Sequence, residues 1–470
     1  MKAIMPDFDK ESGAPLYLQL FEHIKDAILS GEAVYGEKLP SLRNLSESLS
    51  ISITTAEQAY AQLEVEGYIA SRPRSGYFVR DIYQPRSRGG SDGHRQGAGT
   101  GPRPSGNKAA ITISLDAPTI EEPDMVYDLS TFDFPKWKKC VARVLTDYQS
   151  NLLFEGDPQG EELLRYQVSR YLYSSRGVRC NPDSVLIAAG TQQITSILAT
   201  MLRQLKIDHV SVEEPGYQPV ITSFANRGFA LSHIPVRADG IAIERLPGNI
   251  RSAVYTSPSN QFPTGAVMPI RRRYELLEWA RENDSYIIED DYDSELRYIG
   301  KPIPALQGLD TKDRVIYLGS FSSTLFSAIK ISYMVMPAAL SDTFRTIAGQ
   351  YTQTCSKTEQ LALGLFMEQG SYQTGIKKLR RLNGQKLQAV IAAFSKAQGV
   401  ETVNTHSGIN IILKVKTRKS GVTLQKEAEE LGLLAVPLWE EKGLQHMNFY
   451  FNQLPLSEIP KLIEGLLEKW

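Results

Sequence analysis

The sequence has few cysteines and no apolar run long enough to span a bilayer. Over 470 residues it contains three cysteines, Cys140, Cys180 and Cys355, which lie far apart and form no CxxC pair. This usage argues against a zinc site or a disulfide framework and is typical of a reducing compartment. The N-terminal stretch MKAIMPDFDKESG is acidic and lacks the apolar region of a signal peptide. We therefore expect a cytoplasmic protein that has no membrane partner.

The sequence also lacks an excess of charge of either sign. Lys and Arg number 52 against 53 Asp and Glu, so the formal net charge is -1. Overall charge therefore makes no case for nucleic acid or for a membrane surface, and such a partner has to be argued from local clusters. The length and a hydrophobic content of 42% are enough for two or three domains with sizeable cores.

One segment without apolar periodicity divides the chain. Residues 84 to 110, QPRSRGGSDGHRQGAGTGPRPSGNKAA, are rich in Gly, Ser, Pro and Arg, a composition typical of a flexible linker. The sequence thus predicts an N-terminal unit at residues 1 to 83 and a larger unit at residues 111 to 470.

The pattern of the N-terminal unit predicts three helices and a hairpin. PLYLQLFEHIKDAILSG has the apolar spacing of an amphipathic helix, with Pro15 at its start and Gly31 just past its end. LPSLRNLSESLSIS and ITTAEQAYAQLEVEGY predict two short helices, and Ser41 is the expected N-cap of the first. YIASRPRSGYFV predicts a hairpin, or wing, around a Pro-Arg-Ser-Gly turn. Two short helices joined by a tight turn form a helix-turn-helix, whose second helix enters the major groove of DNA.

Side chains at the helix starts and on the wing are the candidates for DNA contact, because these positions reach phosphates and base edges. Residues 1 to 83 hold eight Lys and Arg against twelve Asp and Glu, so a protein-interaction module without a DNA partner is the alternative. Phosphate binding depends on where the cations lie, however, and arginines cluster at the proposed face. The candidates are Ser41, Arg43, Ser52, Thr54, Thr55, Arg72, Arg74 and Gly76.

The motifs LPSLRNL, VEGY and SGYFV resemble, over the whole unit, the winged-helix domain of GntR-type regulators. The resemblance implies that the partner is a double-stranded DNA operator. The sequence departs from the family at Ile53, where an arginine is frequent, and at Arg74, where a glycine is common. These departures leave the operator sequence open.

Strand-like and helical patterns alternate through residues 111 to 470. The strand-like runs are SVLIAAG, HVSVEEPGY, SAVYTSPSN, SYIIEDDYD, VIYLGSFS and ISYMVMP, and amphipathic stretches such as IRRRYELLEWARENDS separate them. This alternation predicts an α/β fold with a mostly parallel sheet covered on both faces. Ligands of such sheets bind at the carboxyl ends of the strands.

Polar clusters follow several of these runs. Gly190, Thr191 and Gln192 are expected at the N-terminus of a helix, which favours a phosphate, although Gly-Thr is also common there as a simple cap. IIEDDYD ends an apolar run with acids, which are often solvated at such places but can also pair with a cationic ring nitrogen. Asn260 adds a polar amide and Tyr217 an aromatic ring after a tight turn. Each cluster is ordinary on its own.

Together and in this order, these clusters resemble the fold-type I aminotransferases that use pyridoxal 5'-phosphate. With the N-terminal unit, the chain resembles the MocR-type (GabR-like) transcriptional regulators. The resemblance implies a homodimer and a set of residues that hold the cofactor. It places the phosphate at Gly190, Thr191, Gln192, Ser320 and Ser322, the pyridine nitrogen at Asp290, the phenolic oxygen near Tyr292, the ring against Tyr217, and a further polar contact at Asn260.

The loop GSFSSTLFSAIKISY departs from that family where the cofactor is joined to the protein. The family has a lysine that forms a Schiff base, whereas this chain has Ser323, and a serine cannot form an imine with an aldehyde. Lys330 stands where the family has a phosphate-binding arginine, and Asn448 where it has an arginine for the effector's carboxylate. A one-residue error in the alignment does not supply the missing amine, because no lysine lies between Arg314 and Lys330. A laboratory substitution at position 323 would leave the other two departures unexplained.

We therefore expect a homodimeric DNA-binding transcriptional regulator that has no catalytic residue. Its aminotransferase-like domain would sense a small molecule related to pyridoxal phosphate, which is not held as a Schiff base. Two alternatives stay open: an active aminotransferase with an accessory DNA-binding domain, and a DNA-binding dimer that takes no ligand. The effector, the operator and the sign of regulation are not given by the sequence.

Overall fold

The computed structural model describes residues 15–30, 32–49, 51–72, 76–80, 129–298, 304–403, 405 and 407–470. The expected linker at residues 84 to 110 and the candidate Arg74 lie outside the described residues.

The N-terminal unit, here called the reader, has the predicted helices and wing. Its elements are α1 Leu16–Leu29, α2 Leu42–Leu49, α3 Ile53–Val65, β1 Ile69–Arg72 and β2 Gly76–Val79, and the two strands pair antiparallel. Leu20, Ala56 and Leu63 are fully or almost fully buried between the helices. The predicted N-cap is confirmed, because the Ser41 hydroxyl accepts a hydrogen bond from the Asn44 amide at 3.2 Å.

The large domain is built on a sheet of eight strands in the order β3-β10-β9-β8-β7-β4-β5-β6. The pairs among β9, β8, β7, β4 and β5 are parallel, whereas β10 runs antiparallel to both of its neighbours and β6 runs antiparallel to β5. The mostly parallel sheet predicted from the sequence is therefore confirmed. Its strands are β3 Val185–Ala189, β4 His209–Glu214, β5 Ala230–Arg237, β6 Gly240–Ile241, β7 Ala253–Thr256, β8 Tyr286–Asp290, β9 Val315–Ser320 and β10 Ile331–Val335.

Helices cover both faces of this sheet, which is why its strands read as continuous apolar runs. Along β3, Val185 and Ile187 pack into the core on one face, and Leu186 and Ala188 pack into the core on the other. The helices of this part of the chain are α4 Phe134–Asp147, α5 Gln149–Leu152, α6 Glu162–Arg176, α7 Gly190–Gln204, α8 Gln218–Ala225, α9 Ile270–Glu282, α10 Leu306–Leu309, α11 Ala338–Ile347 and α12 Lys357–Glu368.

The C-terminal part forms a smaller antiparallel sheet in the order β11-β12-β14-β13. Apolar residues of this sheet share a separate core with the helices that follow and precede it. These elements are α13 Ser371–Phe394, β11 Val400–Val403, β12 Asn410–Lys416, α14 Gly421–Glu429, β13 Ala435–Glu441, β14 Leu444–Tyr450 and α15 Ile459–Lys469. Within the described part of the chain, no helix is both long and apolar enough to cross a membrane.

The reader packs directly on the large domain. Tyr68 and Ile69 of the reader lie in the same continuous apolar core as Ile270, Tyr274 and Leu277 of α9. The two units therefore share an interface in addition to their connection along the chain.

Candidate ligand pocket and DNA-contacting face

A cavity of about 470 Å³ lies where β3, β4, β7, β8 and β9 end, and residues of the smaller sheet close one side of it. This is the sheet edge at which ligands of parallel sheets bind. The residues that line it are Ala189, Gly190, Thr191, Gln192, Tyr217, Pro219, Ser257, Phe262, Asp290, Tyr292, Ser320, Ser322, Ser323, Lys330, Ser332, Ile409, Asn410 and Tyr450.

One end of the cavity can accept an anion. Gly190 has a φ of +80° and begins α7, and Gly190, Thr191 and Gln192 line the cavity, so free backbone N–H groups of the first helical turn are available there. Ser320 accepts hydrogen bonds from the Ser322 amide at 3.3 Å and from the Ser332 hydroxyl at 3.1 Å, which gathers the three serines at one place. Lys330 is exposed and lines the same cavity. It is the only Lys or Arg among the described residues that line the cavity.

Asp290 provides a buried carboxylate deeper in the cavity. It ends β8, is 6% exposed, and accepts a hydrogen bond from the Tyr255 hydroxyl. Burial raises its pKa to about 6, and the charge of Asp291 adds to this effect against the Tyr255 hydrogen bond. A carboxylate in such surroundings is stabilised by a cationic partner, such as a protonated ring nitrogen.

Aromatic residues flank this carboxylate. Tyr217 follows β4, is 37% exposed, and stands with its ring edge toward Phe262 at a centroid distance of 6.0 Å. Burial and the Asp290 charge both raise the pKa of Tyr217. Tyr292 lies two residues beyond Asp290 and lines the cavity as well.

Asn260 lies one layer behind the cavity wall. Its side-chain amide donates to the Asp293 carboxylate at 2.9 Å and to the Tyr292 hydroxyl at 3.3 Å, and its carbonyl accepts from the Ser407 hydroxyl at 3.2 Å. In this structure Asn260 supports Tyr292, and its contact with a ligand stays a prediction.

Ser323 lines the cavity, in the loop that follows β9. Its hydroxyl donates to the backbone carbonyl of Tyr292 at 2.7 Å. Ser320, Ser322 and Tyr292 line the same cavity.

The outer end of the cavity has neutral polar groups that the sequence did not reveal. Asn410 and Tyr450 are paired across β12 and β14 and both line the cavity. Asn448 is 1% exposed and sits behind them, accepting from the Asn410 amide and donating to the Tyr450 hydroxyl at 3.1 Å. Strand register brings these residues together, and a single sequence gives no signal for it. Ser332 was missed for the same reason. Ser257 was also missed, although it directly follows β7 at the carboxyl end of a strand, where ligands of such sheets bind.

The described residues fit a group of the pyridoxal phosphate type held without a covalent bond. Hydroxyl groups, backbone amides and Lys330 could hold its phosphate, and Asp290 could hold a protonated ring nitrogen. Ser323 offers no amine to the carbonyl of such a group. The cavity can therefore bind and orient this group, but Ser323 stands where a Schiff-base lysine would be needed.

The candidate DNA-contacting residues lie at the starts of α2 and α3 and on the wing. Arg43 and Thr54 are exposed, whereas the Ser52 hydroxyl caps α3 by accepting from the Thr55 amide at 3.0 Å. Arg72 lies over the ring of Phe78 at 4.5 Å from the centroid and pairs with Gly76, which has a φ of +98°. The structure therefore brings Ser41, Arg43, Ser52, Thr54, Thr55, Arg72 and Gly76 onto one small unit, and Arg74 lies outside the described residues.

Two family models match the chain, one for each unit. Residues 16–79 match the gntR family of bacterial regulatory proteins, and residues 124–452 match aminotransferase class I and II. The second match spans well over half of the chain.

Relatives share the whole arrangement. The chain is 36% identical to an uncharacterised HTH-type transcriptional regulator, YhdI, of Bacillus subtilis, over 99% of this chain and 95% of that protein. It is 30% identical to the probable rhizopine catabolism regulatory protein MocR of Rhizobium meliloti, over 92% of this chain and 88% of that protein. Among solved structures, the kynurenine aminotransferase of Pyrococcus horikoshii superposes with a TM-score of 0.62 at 23% identity, covering 73% of this chain and 88% of the enzyme. That likeness establishes the fold of the large domain.

Proposed function

We propose that this chain, which belongs to the MocR-type HTH transcriptional regulators, is a homodimeric DNA-binding regulator. Regulators of this type join a gntR-family domain to an aminotransferase class I and II domain. The cavity of this chain binds a pyridoxal phosphate-like ligand without a covalent bond. The reader contacts an operator, and the large domain senses the ligand. No residue of the chain acts as the amine of an aminotransferase.

Ser323 is the observation that carries this proposal. The cavity keeps a buried carboxylate at Asp290 and a cation at Lys330, yet the expected lysine position holds Ser323, whose hydroxyl donates a hydrogen bond to a backbone carbonyl. When bound, a pyridoxal phosphate group supplies an electron-withdrawing ring and a carbonyl that condenses with amines. In this chain the surrounding residues bind and orient that ring, Lys330 pairs with the phosphate, and Ser323 offers the carbonyl no amine.

The exposed residues of the reader support DNA as its partner. Arg43 and Arg72 provide exposed cations, and Thr54 provides an exposed hydroxyl at the start of α3, the helix that enters the major groove in this motif. Affinity would come from these local contacts, since the chain as a whole carries no excess of positive charge.

A second copy of the chain is the proposed cover of an exposed apolar patch beside the cavity. Leu153 and Phe154 are 84% and 72% exposed. The backbone carbonyl of Phe154 accepts from Lys357 Nζ at 3.3 Å, and nearby Thr354 accepts from the amide of Ala189, which lines the cavity. Large apolar side chains exposed at such a place are typical of an interface. A dimer would also carry two readers for two half-sites.

Calorimetry with pyridoxamine 5'-phosphate tests the proposal, because this amine form cannot condense with a protein amine. We expect saturable binding by the full chain and a loss of about tenfold or more in affinity for Lys330→Gln, since a charge-assisted hydrogen bond to phosphate is removed. Lys461→Gln, at an exposed lysine of α15 that does not line the cavity, is the matched control and should bind as the wild type does. Absence of binding by the wild type would contradict the proposal and favour the dimer that takes no ligand.

A further inference from the structure

Gly67 and Tyr68 of the reader lie at its contact with the large domain, and Glu66 directly precedes them. Gly67 has a φ of +81° and approaches α9 so closely that a Cβ atom there would lie 2.9 Å from Cγ2 of Ile270. Tyr68 is fully buried, and burial together with the charges of Tyr274 and Glu66 raises its pKa. We call Glu66, Gly67, Tyr68, Ile270, Tyr274 and Arg297 the reader joint.

The α9 side of the joint is tied to the cavity through Arg273. This residue follows Ile270 by less than one helical turn and is fully buried. Its guanidinium donates to the carbonyl of Pro258 at 2.9 Å and to the carbonyl of Met268 at 3.0 Å. Pro258 is bonded to Ser257, which lines the cavity. A shift of the turn at Ser257 and Pro258 therefore moves the Pro258 carbonyl, which accepts the hydrogen bond from Arg273 of α9.

A second tie runs through Arg297. Burial and the nearby Arg176 lower the pKa of Arg297, whereas the charge of Glu66 in the reader raises it. The backbone of Arg297 forms a β-bridge with Ser407, whose hydroxyl donates to Asn260 at 3.2 Å. Two residues further on, Ile409 lines the cavity.

The joint also contains a buried polar group without a hydrogen-bond partner among the described residues. The hydroxyl oxygen of Tyr68 is buried and has no hydrogen-bond partner among the residues that the structure describes. A buried polar group in that state lowers the stability of the contact that buries it. The contact between the reader and the large domain is therefore less stable than its apolar packing alone would make it.

Closing the joint leaves the candidate DNA-contacting side chains accessible. Arg43, Thr54 and Arg72 are all exposed while Tyr68 is fully buried. The joint accordingly fixes the direction in which the reader points and does not cover its DNA-contacting residues.

We propose that the reader joint is the surface through which an occupied cavity changes DNA binding. The inference rests on the proposed function, and it adds the elements that join the two activities. A ligand that contacts Ser257 or Ile409 displaces the turns attached to Arg273 and Arg297, and these two arginines carry the displacement to the reader. Because coupling between two binding sites is reciprocal, DNA would change the affinity of the cavity by the same factor.

The test measures the affinity of the full chain for DNA from directly upstream of its own gene, with and without saturating pyridoxamine 5'-phosphate. We expect the two dissociation constants of the wild type to differ by about fivefold or more, as in typical coupled sites. Ile270→Ala and Glu66→Gln should bring their ratio to within about twofold of one, and both variants should still bind each ligand alone. Glu282→Gln, at the exposed end of α9, is the control and should keep the wild-type ratio.

Hydrogen exchange gives an independent measurement on the wild type, which guards against variants that fail to fold. Saturating pyridoxamine 5'-phosphate should change the exchange of amides at residues 66 to 72. Unchanged exchange there, or joint variants that keep the wild-type ratio, would overturn the inference while the proposed function stands. A wild type that binds DNA but shows no calorimetric binding of the amine would overturn the proposed function, and the inference with it.

Discussion

The hydroxyl of Ser323 donates a hydrogen bond to the backbone carbonyl of Tyr292 across 2.7 Å. This bond joins the loop after β9 to the loop after β8 at the wall of the cavity. The hydroxyl hydrogen is therefore directed at the protein backbone. Ser323 acts in this structure as a positioning residue of the cavity wall.

The affinity of the cavity for pyridoxamine 5'-phosphate should fall in mild acid. Burial raises the pKa of Asp290 to about 6, so this carboxyl is ionised at pH 7.5 and is largely protonated at pH 5. Protonation removes the anion that would pair with the ring nitrogen. We expect affinity to fall by about tenfold between pH 7.5 and pH 5, as calorimetry at both values would show.

Asp290→Asn separates this effect from the titration of the ligand and of other buried carboxyls. Glu213, whose pKa burial raises to about 7, also lies near Asp290 and titrates in the same range. The asparagine variant should bind weakly at both pH values and lose most of the pH dependence. A variant with the wild-type pH profile would show that Asp290 is not the group responsible.

Tyr68→Phe should not destabilise the protein, in contrast to Tyr60→Phe. The Tyr68 hydroxyl is buried without a hydrogen-bond partner among the described residues, so its removal should raise the free energy of unfolding by about 1 kcal/mol. The Tyr60 hydroxyl donates to the carbonyl of Pro40 at 2.9 Å, so its removal should lower that free energy by about 1 kcal/mol. Urea unfolding of both variants would measure the difference. Equal losses of stability would mean that the Tyr68 hydroxyl has a partner in solution.

Arg43→Ala should weaken DNA binding and leave the fold unchanged. Arg43 is exposed at the start of α2, where its charge is available to a phosphate. We expect the slope of log affinity against log salt concentration to become shallower by about one unit, as for the loss of one phosphate contact. Arg345→Ala, an exposed arginine on α11, is the control and should leave both affinity and slope as they are. An unchanged slope for Arg43→Ala would place Arg43 away from the DNA.

Local patterns were enough to predict much of this fold. The six apolar runs of the large domain became β3, β4, β7, β8, β9 and β10, because a strand buried on both faces carries a continuous apolar signal. The N-cap at Ser41 could also be predicted from the sequence, since a cap depends on residues three positions apart. The gntR-family and aminotransferase matches confirm the expected pair of domains.

Features that depend on tertiary contacts could not be predicted from the sequence. Asn410 and Tyr450 reach the cavity only through the register of β12 against β14. The bond from Asn260 to Asp293 depends on side chains 33 positions apart meeting behind the cavity. The contact of Gly67 with Ile270 joins residues of different domains, and nothing local to either residue indicates it.

Borohydride reduction of the protein after incubation with pyridoxal 5'-phosphate tests the central claim most directly. Peptide mapping by mass spectrometry should show no phosphopyridoxyl group on the residues that line the cavity of the wild type, because Ser323 offers no amine and Lys330 is expected to pair with the phosphate. Ser323→Lys should gain one such group, and Ser323→Met, a long side chain without an amine, should gain none. A reducible group mapped to the cavity of the wild-type chain would contradict the account.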